Sequence, residues 1–186
     1  MHTTRCWVFF SRYGTIVLTL KNLLLGICLW FFLCVLCFML SPSSADAVIG
    51  GCLAGILLAV SFTDYSTLNI PHGLIGGIAV LACTAYLVGS PADLGFSNRC
   101  IGSCIASIPL LVYAIAFNGF GGGDIKLMAV MGFLLGEQRA LVALFLALAL
   151  GCIYAFILVL TRNMTRKDTF PFGPALSAGS FIAFLL

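Results

Sequence analysis

The sequence predicts an all-α, polytopic integral membrane protein with six or seven transmembrane helices. Of its 186 residues, 62% are hydrophobic and only 8% are charged, whereas a soluble domain carries about 25% charged residues. Several of its apolar runs approach the roughly 20 residues that cross a bilayer as a helix. We therefore treat residues 1–186 as one membrane-embedded domain, in which 1–46 form an N-terminal span and an outer loop.

Seven apolar runs define the predicted helices in chain order. They cover residues 23–40, 47–62, 73–89, 101–117, 125–135, 140–160 and 175–186. Runs 125–135 and 175–186 are short, which leaves the count at six or seven. The first run is longer than the roughly 7–15 residues of a signal-peptide core. We expect it to be a retained span, although "ADA" at 45–47 resembles a cleavage site.

The basic residues predict the orientation of the chain. If the N-terminus is cytoplasmic, seven of the nine lie on the inner side and two on the outer side, as the positive-inside rule requires. The inner set is Arg5, Arg12, Lys21, Lys126, Arg162, Arg166 and Lys167, and the outer set is Arg99 and Arg139. The net charge of +3 is therefore a topology signal. No basic face with interleaved aromatics indicates a nucleic-acid partner, and the expected contact is membrane lipid.

The nine cysteines are scattered through the apolar runs, which favours buried, inert thiols over a metal site. The sequence "CVLC" at 34–37 has no second pair and no polar neighbours, while a structural zinc needs four ligands. We therefore expect no metal and no cofactor.

Two of the six acidic residues stand apart from the rest. We expect solvated turn or loop positions for Asp46, Asp93, Glu137 and Asp168. Asp64 follows the second run and Asp124 follows the fourth, so two spans separate them and both fall on the inner side. Because ionisable groups at membrane depth are costly and usually have a partner, each is the candidate partner of the other.

Three glycines precede the second aspartate in "GFGGGDIKLMAV", residues 119–130. Gly121, Gly122 and Gly123 can break a helix, adopt positive φ and let another backbone approach closely. A purely structural interpretation also holds, because capping and the helix dipole favour an aspartate at a helix start. Asp64 is likewise compatible with an interfacial cap or turn.

Two carboxylates in one site repel each other when both are ionised, so the pair would hold one proton between them. The ionised member can then take a proton from water, while the protonated member polarises a substrate carbonyl. This is the chemistry of aspartic proteases.

Three motifs together resemble the type IV prepilin peptidases, membrane aspartyl proteases that remove the leader of prepilins. "GGGD" at 121–124 is similar to the family's G-x-G-D motif. "DYSTLNIP" at 64–71 resembles the segment after its first aspartate, through Asp64, Ile70 and Pro71. "FPFGPALSAG" at 170–179 resembles the segment that opens its last span. The resemblance covers 47–186, the expected peptidase core.

The resemblance implies that Asp64 and Asp124 are catalytic at the cytoplasmic face of a bacterial inner membrane, with prepilins or pseudopilins as substrates. Gly121 and Gly123 would let the scissile segment approach. The remaining motif residues would shape the cytoplasmic rim; they are Pro71, Pro171, Phe172, Gly173 and Pro174. His72 is expected to be interfacial, and Lys126 to contact lipid.

Longer members of that family carry a domain with paired C-x-x-C motifs, associated with methylation, between their first two spans. Here the connection is "SPSSADA", residues 41–47. We therefore expect no methyltransferase activity and a short form similar to the tight-adherence (Flp) pilus branch.

Two other functions fit a pair of membrane carboxylates. Signal-peptide-peptidase and presenilin-type proteases also use G-x-G-D, but their first aspartate follows a tyrosine in mid-span, whereas this chain has "TDY" at a span end. A small transporter or proton-coupled channel would be expected to contain paired inverted repeats, and the sequence has no convincing repeat.

Overall fold

Six helices make up almost all of the structure, a computed structural model that describes residues 25–41, 43–89, 94–117, 121–162 and 171–186. In chain order they are α1 (Leu25–Leu40), α2 (Ser44–Thr67), α3 (His72–Val88), α4 (Phe96–Phe117), α5 (Gly122–Arg162) and α6 (Gly173–Leu185). The described residues contain no strand, which confirms the all-α prediction.

The helices have the length and composition of a membrane protein. By length and apolar composition alone, Ser44–Thr67, Phe96–Ala116 and Gly122–Ile157 qualify as candidate spans, the last of them interrupted at Gly136, and α1, α3 and α6 are shorter apolar helices. Large apolar side chains cover the outside of the bundle, as Leu87, Ile115 and Phe145 illustrate. An outer surface of this kind is suited to lipid.

Helix α5 is broken at Gly136, where φ is 75° and ψ is 177°. Ser180 Oγ lies 3.8 Å from Met128 Sδ, and the neighbouring Gly179 lies against the backbone of Ala147. In a straight helix Met128 and Ala147 would be about 28 Å apart. The chain therefore folds back at Gly136, and α6 packs against both arms of α5. The break lies next to Glu137, for which the sequence predicted a turn or loop position.

The start of α4 supplies partners for the backbone groups that this break exposes. Asn98 Oδ1 accepts a hydrogen bond from Glu137 N at 2.8 Å. Arg99 Nη1 donates to the carbonyls of Phe133 and Leu134 at 3.4 and 3.3 Å. The break thus leaves polar backbone groups on both sides satisfied, as a site in lipid requires.

Arg99 was predicted to be a charged residue at the outer end of a span, but its environment in the structure is different. Its side chain is fully buried. Besides the α5 carbonyls, its Nε donates to Leu94 O at 3.3 Å, and its guanidinium lies 5.6 Å from the ring centroid of Tyr86. A fork of N–H donors can satisfy several carbonyls at once, so this residue is a structural clamp.

Glycines let α4 and α5 approach to backbone contact. A Cβ on Gly102 would lie 2.5 Å from Gly132 O and 2.6 Å from Gly136 C. Gly132 and Gly136 are four residues apart, the spacing that allows close helix packing in membranes. This contact holds α4 against the reversal in α5.

The two ends of the bundle carry different residues. At one end, which we call the aspartate end, α2 finishes beside the start of α6, with Asp64 against Gly173. The start of α5 lies there too, because Gly123 meets Ile70 of the α2–α3 connection. At the opposite end Phe184 of α6 reaches Gly50 of α2. The predicted placement of Asp64 and Asp124 on one side thus agrees with the structure.

Two expectations about side-chain environment are wrong. Asp46 is buried, at 7% exposure, and is not a solvated turn residue; it lies in the first turn of α2, at the end opposite Asp64. Of the eight cysteines described, only Cys37 is buried, and Cys28, Cys52, Cys83, Cys104 and Cys152 are exposed. Thiols are weakly polar, so lipid-facing positions accept them as readily as a protein core does. Asp93, Asp168 and Cys6 lie outside the described residues.

Replacing Gly132 by valine should destabilise the protein, because the new side chain would meet the backbone of α4, which cannot rotate away. Overpacking of this kind costs typically 1–3 kcal/mol or more, about 2–4 °C in melting temperature per kcal/mol for a chain of this size. The matched control is Gly76→Val, since nothing lies within 4 Å of a Cβ at Gly76. Thermal unfolding in detergent measures both, and equal melting temperatures would refute the proposed packing.

Replacing Arg99 by lysine should also destabilise the protein. An ammonium cannot reproduce the planar fork of donors, and each buried carbonyl left unpaired costs about 1–3 kcal/mol. Arg139→Lys, a change of the same type at a partly exposed residue, should have little effect. A loss of stability no larger than that of Arg139→Lys would contradict the clamp.

Candidate active site

Asp64 lies in the last turn of α2 and is buried, at 5% exposure. Its Oδ2 accepts a hydrogen bond from the backbone N–H of Gly173 at 2.7 Å. Helix α2 ends just beyond it at Leu68, whose left-handed conformation (φ 52°) lets its N–H bond back to Asp64 O at 2.8 Å. One oxygen of this carboxylate is therefore fixed by the first residue of another helix.

Asp124 occupies the first turn of α5 and is also buried, at 9% exposure. Its Oδ2 accepts a hydrogen bond from Gly121 N at 3.3 Å, and its own N–H donates to Gly121 O at 3.1 Å. Asp124 is the third residue of α5, and its side chain bonds to the N–H of Gly121, the residue just before the helix. This is the geometry of a capping box. Asp124 therefore caps the start of α5, as the structural interpretation predicted. Any catalytic role must be compatible with this capping role.

The structure brings the two carboxylates together. Their charges are close enough to interact, although the residues come from helices separated by two others. Ile70, six residues after Asp64, is buried and packs against Gly123, the residue before Asp124: a Cβ at that glycine would be 3.1 Å from the Ile70 Cβ. The loop after Asp64 is thus seated on the turn that carries Asp124.

The glycines before Asp124 differ from their prediction. Among the described glycines only Gly89 and Gly136 have positive φ, and α5 already begins at Gly122. Gly123 is needed for the close approach of Ile70, whereas nothing lies within 4 Å of a Cβ at Gly122. Gly121 is exposed beside Asp124. Close approach, and not unusual φ, explains glycine at 123.

The segment at the start of α6 supports the first aspartate. A Cβ on Gly173 would lie 2.7 Å from both Cβ and Oδ2 of Asp64, so only glycine allows this N–H to reach the carboxylate. Phe172 is buried and lies against Gly151. Pro174 stands in the first turn of α6, where its missing N–H costs nothing.

Other residues of interest lie at the periphery of the site. Pro171 is half-buried, and Pro71, His72 and Lys126 are exposed near the starts of their helices. Among the described residues, no group of three His, Cys, Asp or Glu side chains is placed to hold a metal ion.

Two important contacts were not anticipated from the sequence. The role of Ile70 against Gly123 and that of the Gly173 N–H at Asp64 both depend on residues far apart in the chain, 53 and 109 positions respectively. The only sequence signal was that each residue belongs to a motif resembling the same family.

Asp64→Leu should destabilise the protein more than Asp64→Asn. Leucine leaves the buried Gly173 N–H without an acceptor, at a cost of about 1–3 kcal/mol, whereas the asparagine amide retains an oxygen. The difference should appear as a lower melting temperature for the leucine variant alone. If the two variants have the same melting temperature, the 2.7 Å hydrogen bond contributes nothing to stability.

Comparison with known proteins identifies the family to which the chain is similar. The profile of the type IV leader peptidase family matches residues 51–156, a segment that contains both aspartates. Three relatives named prepilin leader peptidase/N-methyltransferase come from Bacillus subtilis (strain 168), Pseudomonas putida and Aeromonas salmonicida (strain A449). They are 35%, 37% and 31% identical to the chain over 70%, 77% and 72% of its length.

The aligned regions cover 52%, 51% and 47% of those relatives, so the chain spans about half the length of the curated relatives that it matches. No solved structure matched the chain. By the extent of the profile match, the chain belongs to the type IV leader peptidase family.

Proposed function

We propose that the chain is a membrane aspartic endopeptidase that removes the leader of type IV prepilins or pseudopilins, with Asp64 and Asp124 as its catalytic carboxylates. The observation that carries the proposal is the placement of two buried aspartates at one end of a helical bundle, where Ile70 of the loop after Asp64 packs against Gly123, the residue before Asp124. They occur in a chain of the type IV leader peptidase family, and relatives of that family are named for cleaving prepilin leaders.

The hydrogen bonds leave each carboxylate one oxygen for chemistry. Asp64 Oδ2 is held by Gly173 N and Asp124 Oδ2 by Gly121 N, so in the proposed reaction the two Oδ1 atoms face water and substrate. The ionised member removes a proton from water, whose oxygen attacks the scissile carbonyl carbon. The protonated member donates its proton to the carbonyl oxygen, and the C–N bond then breaks as the leaving amine takes a proton from the dyad.

The position of the dyad along α2 fits a reaction that consumes water. Asp64 stands 20 residues beyond Ser44, or about 30 Å at 1.5 Å per residue, and the hydrocarbon core is also about 30 Å thick. If Ser44 lies at one membrane boundary, the carboxylates lie at the other. We assign that boundary to the cytoplasmic face of the bacterial inner membrane, with the N-terminus on the same side, because the basic residues predict it.

Substrate access is assigned to Gly121 and Gly122. Gly121 is exposed beside Asp124, and a Cβ on Gly122 would meet nothing within 4 Å. An extended segment can approach the carboxylate over these two residues. Gly123, which the motif had suggested for this role, is instead covered by Ile70.

Transport is the less favoured function. A transporter with two membrane carboxylates would use them as cation ligands, but here one oxygen of each is engaged by a backbone N–H. Membership of a leader peptidase family also favours hydrolysis.

Asp64→Asn and Asp124→Asn, made separately, should each abolish cleavage of a prepilin in membranes. Loss of a general acid or base lowers the rate by about 10²–10⁴-fold, and both members are needed. The measurement is the fraction of prepilin processed over time, with membrane levels of each variant checked by immunoblot.

Asp46→Asn is the matched control, because Asp46 is a buried aspartate of the same bundle at the opposite end. It should retain near-normal cleavage. Normal processing by either Asp64→Asn or Asp124→Asn, at normal protein levels, would overturn the proposed dyad.

A further inference from the structure

Asp64 and Asp124 are carried by α2 and α5, two helices that have little direct contact with each other. In the described part of the chain, α2 packs against α3 and α6, and α5 packs against α3, α4 and α6. The relative position of the two carboxylates therefore depends on other segments. One is α6, whose first N–H holds Asp64. The other is the connection between α2 and α3, residues 68–71.

This connection is fixed relative to Asp64. The N–H of Leu68 donates to Asp64 O at 2.8 Å, with Leu68 in the left-handed conformation (φ 52°). A leucine holds that conformation only where its surroundings determine it. The hydroxyl of Thr67 shares its hydrogen bond between the carbonyls of Thr63 and Asn69, at 2.8 and 3.1 Å. The end of the connection therefore follows any movement of the Asp64 backbone.

Ile70 is the point at which this connection meets α5. From residue 65 to residue 73 it is the only buried residue, at 3% exposure. Its side chain lies against Gly123: a Cβ on that glycine would be 3.1 Å from the Ile70 Cβ and 3.6 Å from its Cγ1. Gly123 directly precedes Asp124. One apolar side chain thus joins the segment that carries Asp64 to the turn that carries Asp124.

We propose that Ile70 is a positioning residue that sets the separation of the Asp64 and Asp124 carboxylates. It acts through Gly123 on one side and through the α2–α3 connection on the other. Carboxylates that share a proton and one water must be held at a defined distance. The catalytic consequence of this inference rests on the proposed peptidase function, whereas the distance itself does not.

Kinetic analysis of Ile70→Ala tests the consequence for catalysis. Without the anchor, repulsion between the carboxylates moves them apart. The value of kcat for a prepilin should fall about 10- to 100-fold, because a misplacement of about 1 Å can cost about 10²-fold. KM should change little, since the lost interaction acts in the transition state. Ile70→Val keeps the atoms nearest to Gly123 and should retain most of the activity.

Ile78→Ala is the matched control, because Ile78 is a fully buried isoleucine six residues, or about 9 Å, into α3 from its start at the aspartate end. Both alanine variants leave a cavity in the core and should lower the melting temperature. Only Ile70→Ala should also narrow the pH range between the two limbs of the rate profile, because carboxylates that are farther apart interact less. A residue that only fills the core would leave that range unchanged.

Disulfide trapping measures the separation without catalysis. Asp64→Cys and Asp124→Cys are combined in a chain whose nine native cysteines are replaced by alanine, and the membranes are oxidised with copper phenanthroline. A disulfide requires Cα atoms about 4.4–6.8 Å apart, so its rate of formation reports how closely the two positions are held. We expect about tenfold slower cross-linking when Ile70→Ala is added, and an unchanged rate with Ile78→Ala.

The outcomes separate this inference from the proposed function. Equal cross-linking rates with and without Ile70→Ala would overturn the positioning role, even if the chain processes prepilin normally. Failure of the pair to cross-link with Ile70 in place would overturn it too. If Ile70→Ala slows cross-linking but the unmodified chain processes no prepilin, the positioning role stands and the proposed function fails.

Discussion

The whole structure depends on one constraint of the bilayer: a backbone N–H or C=O released at a helix end inside lipid must find a partner within the protein. At Gly136 the break in α5 releases such groups, and Asn98 and Arg99 of α4 take them up. At the aspartate end the releasing residues are Gly121 and Gly173, and their N–H groups bond to Asp124 and Asp64. The candidate catalytic carboxylates thus occupy the positions of capping groups.

Capping and catalysis are therefore compatible interpretations of the same two residues. A carboxylate offers two oxygens and several lone pairs, so one oxygen can satisfy a helix end while the other remains for chemistry. Backbone donors also fix the orientation of Asp64 and Asp124 more firmly than mobile side chains would. Because acid–base chemistry requires groups held in place, the structural role prepares the chemical one.

Parity and charge counting predicted which end of the bundle carries Asp64 and Asp124, because both depend only on the order of apolar runs and on Lys and Arg at their ends. Environments fixed by distant neighbours were not predicted. Arg99 was expected at a span end but is buried, since it faces the carbonyls freed by a break 37 residues away. Asp46 and the cysteines were misassigned for the same reason: sequence indicates depth in the bilayer but not which side of a helix faces protein.

The placement of α6 connects the packing of the bundle to its site. Apolar burial gives little drive to helix association in lipid, and α6 is held by backbone contact, as at Gly179 against Ala147. Its 13 residues rise only about 20 Å, and its far end already reaches Gly50 of α2 through Phe184. Gly173, the first residue of α6, therefore lies near the level of Asp64, which is about 21 Å along α2 from Gly50. The contact between Phe184 and Gly50 thus sets the level at which α6 begins, and that level brings the Gly173 N–H to the Asp64 carboxylate.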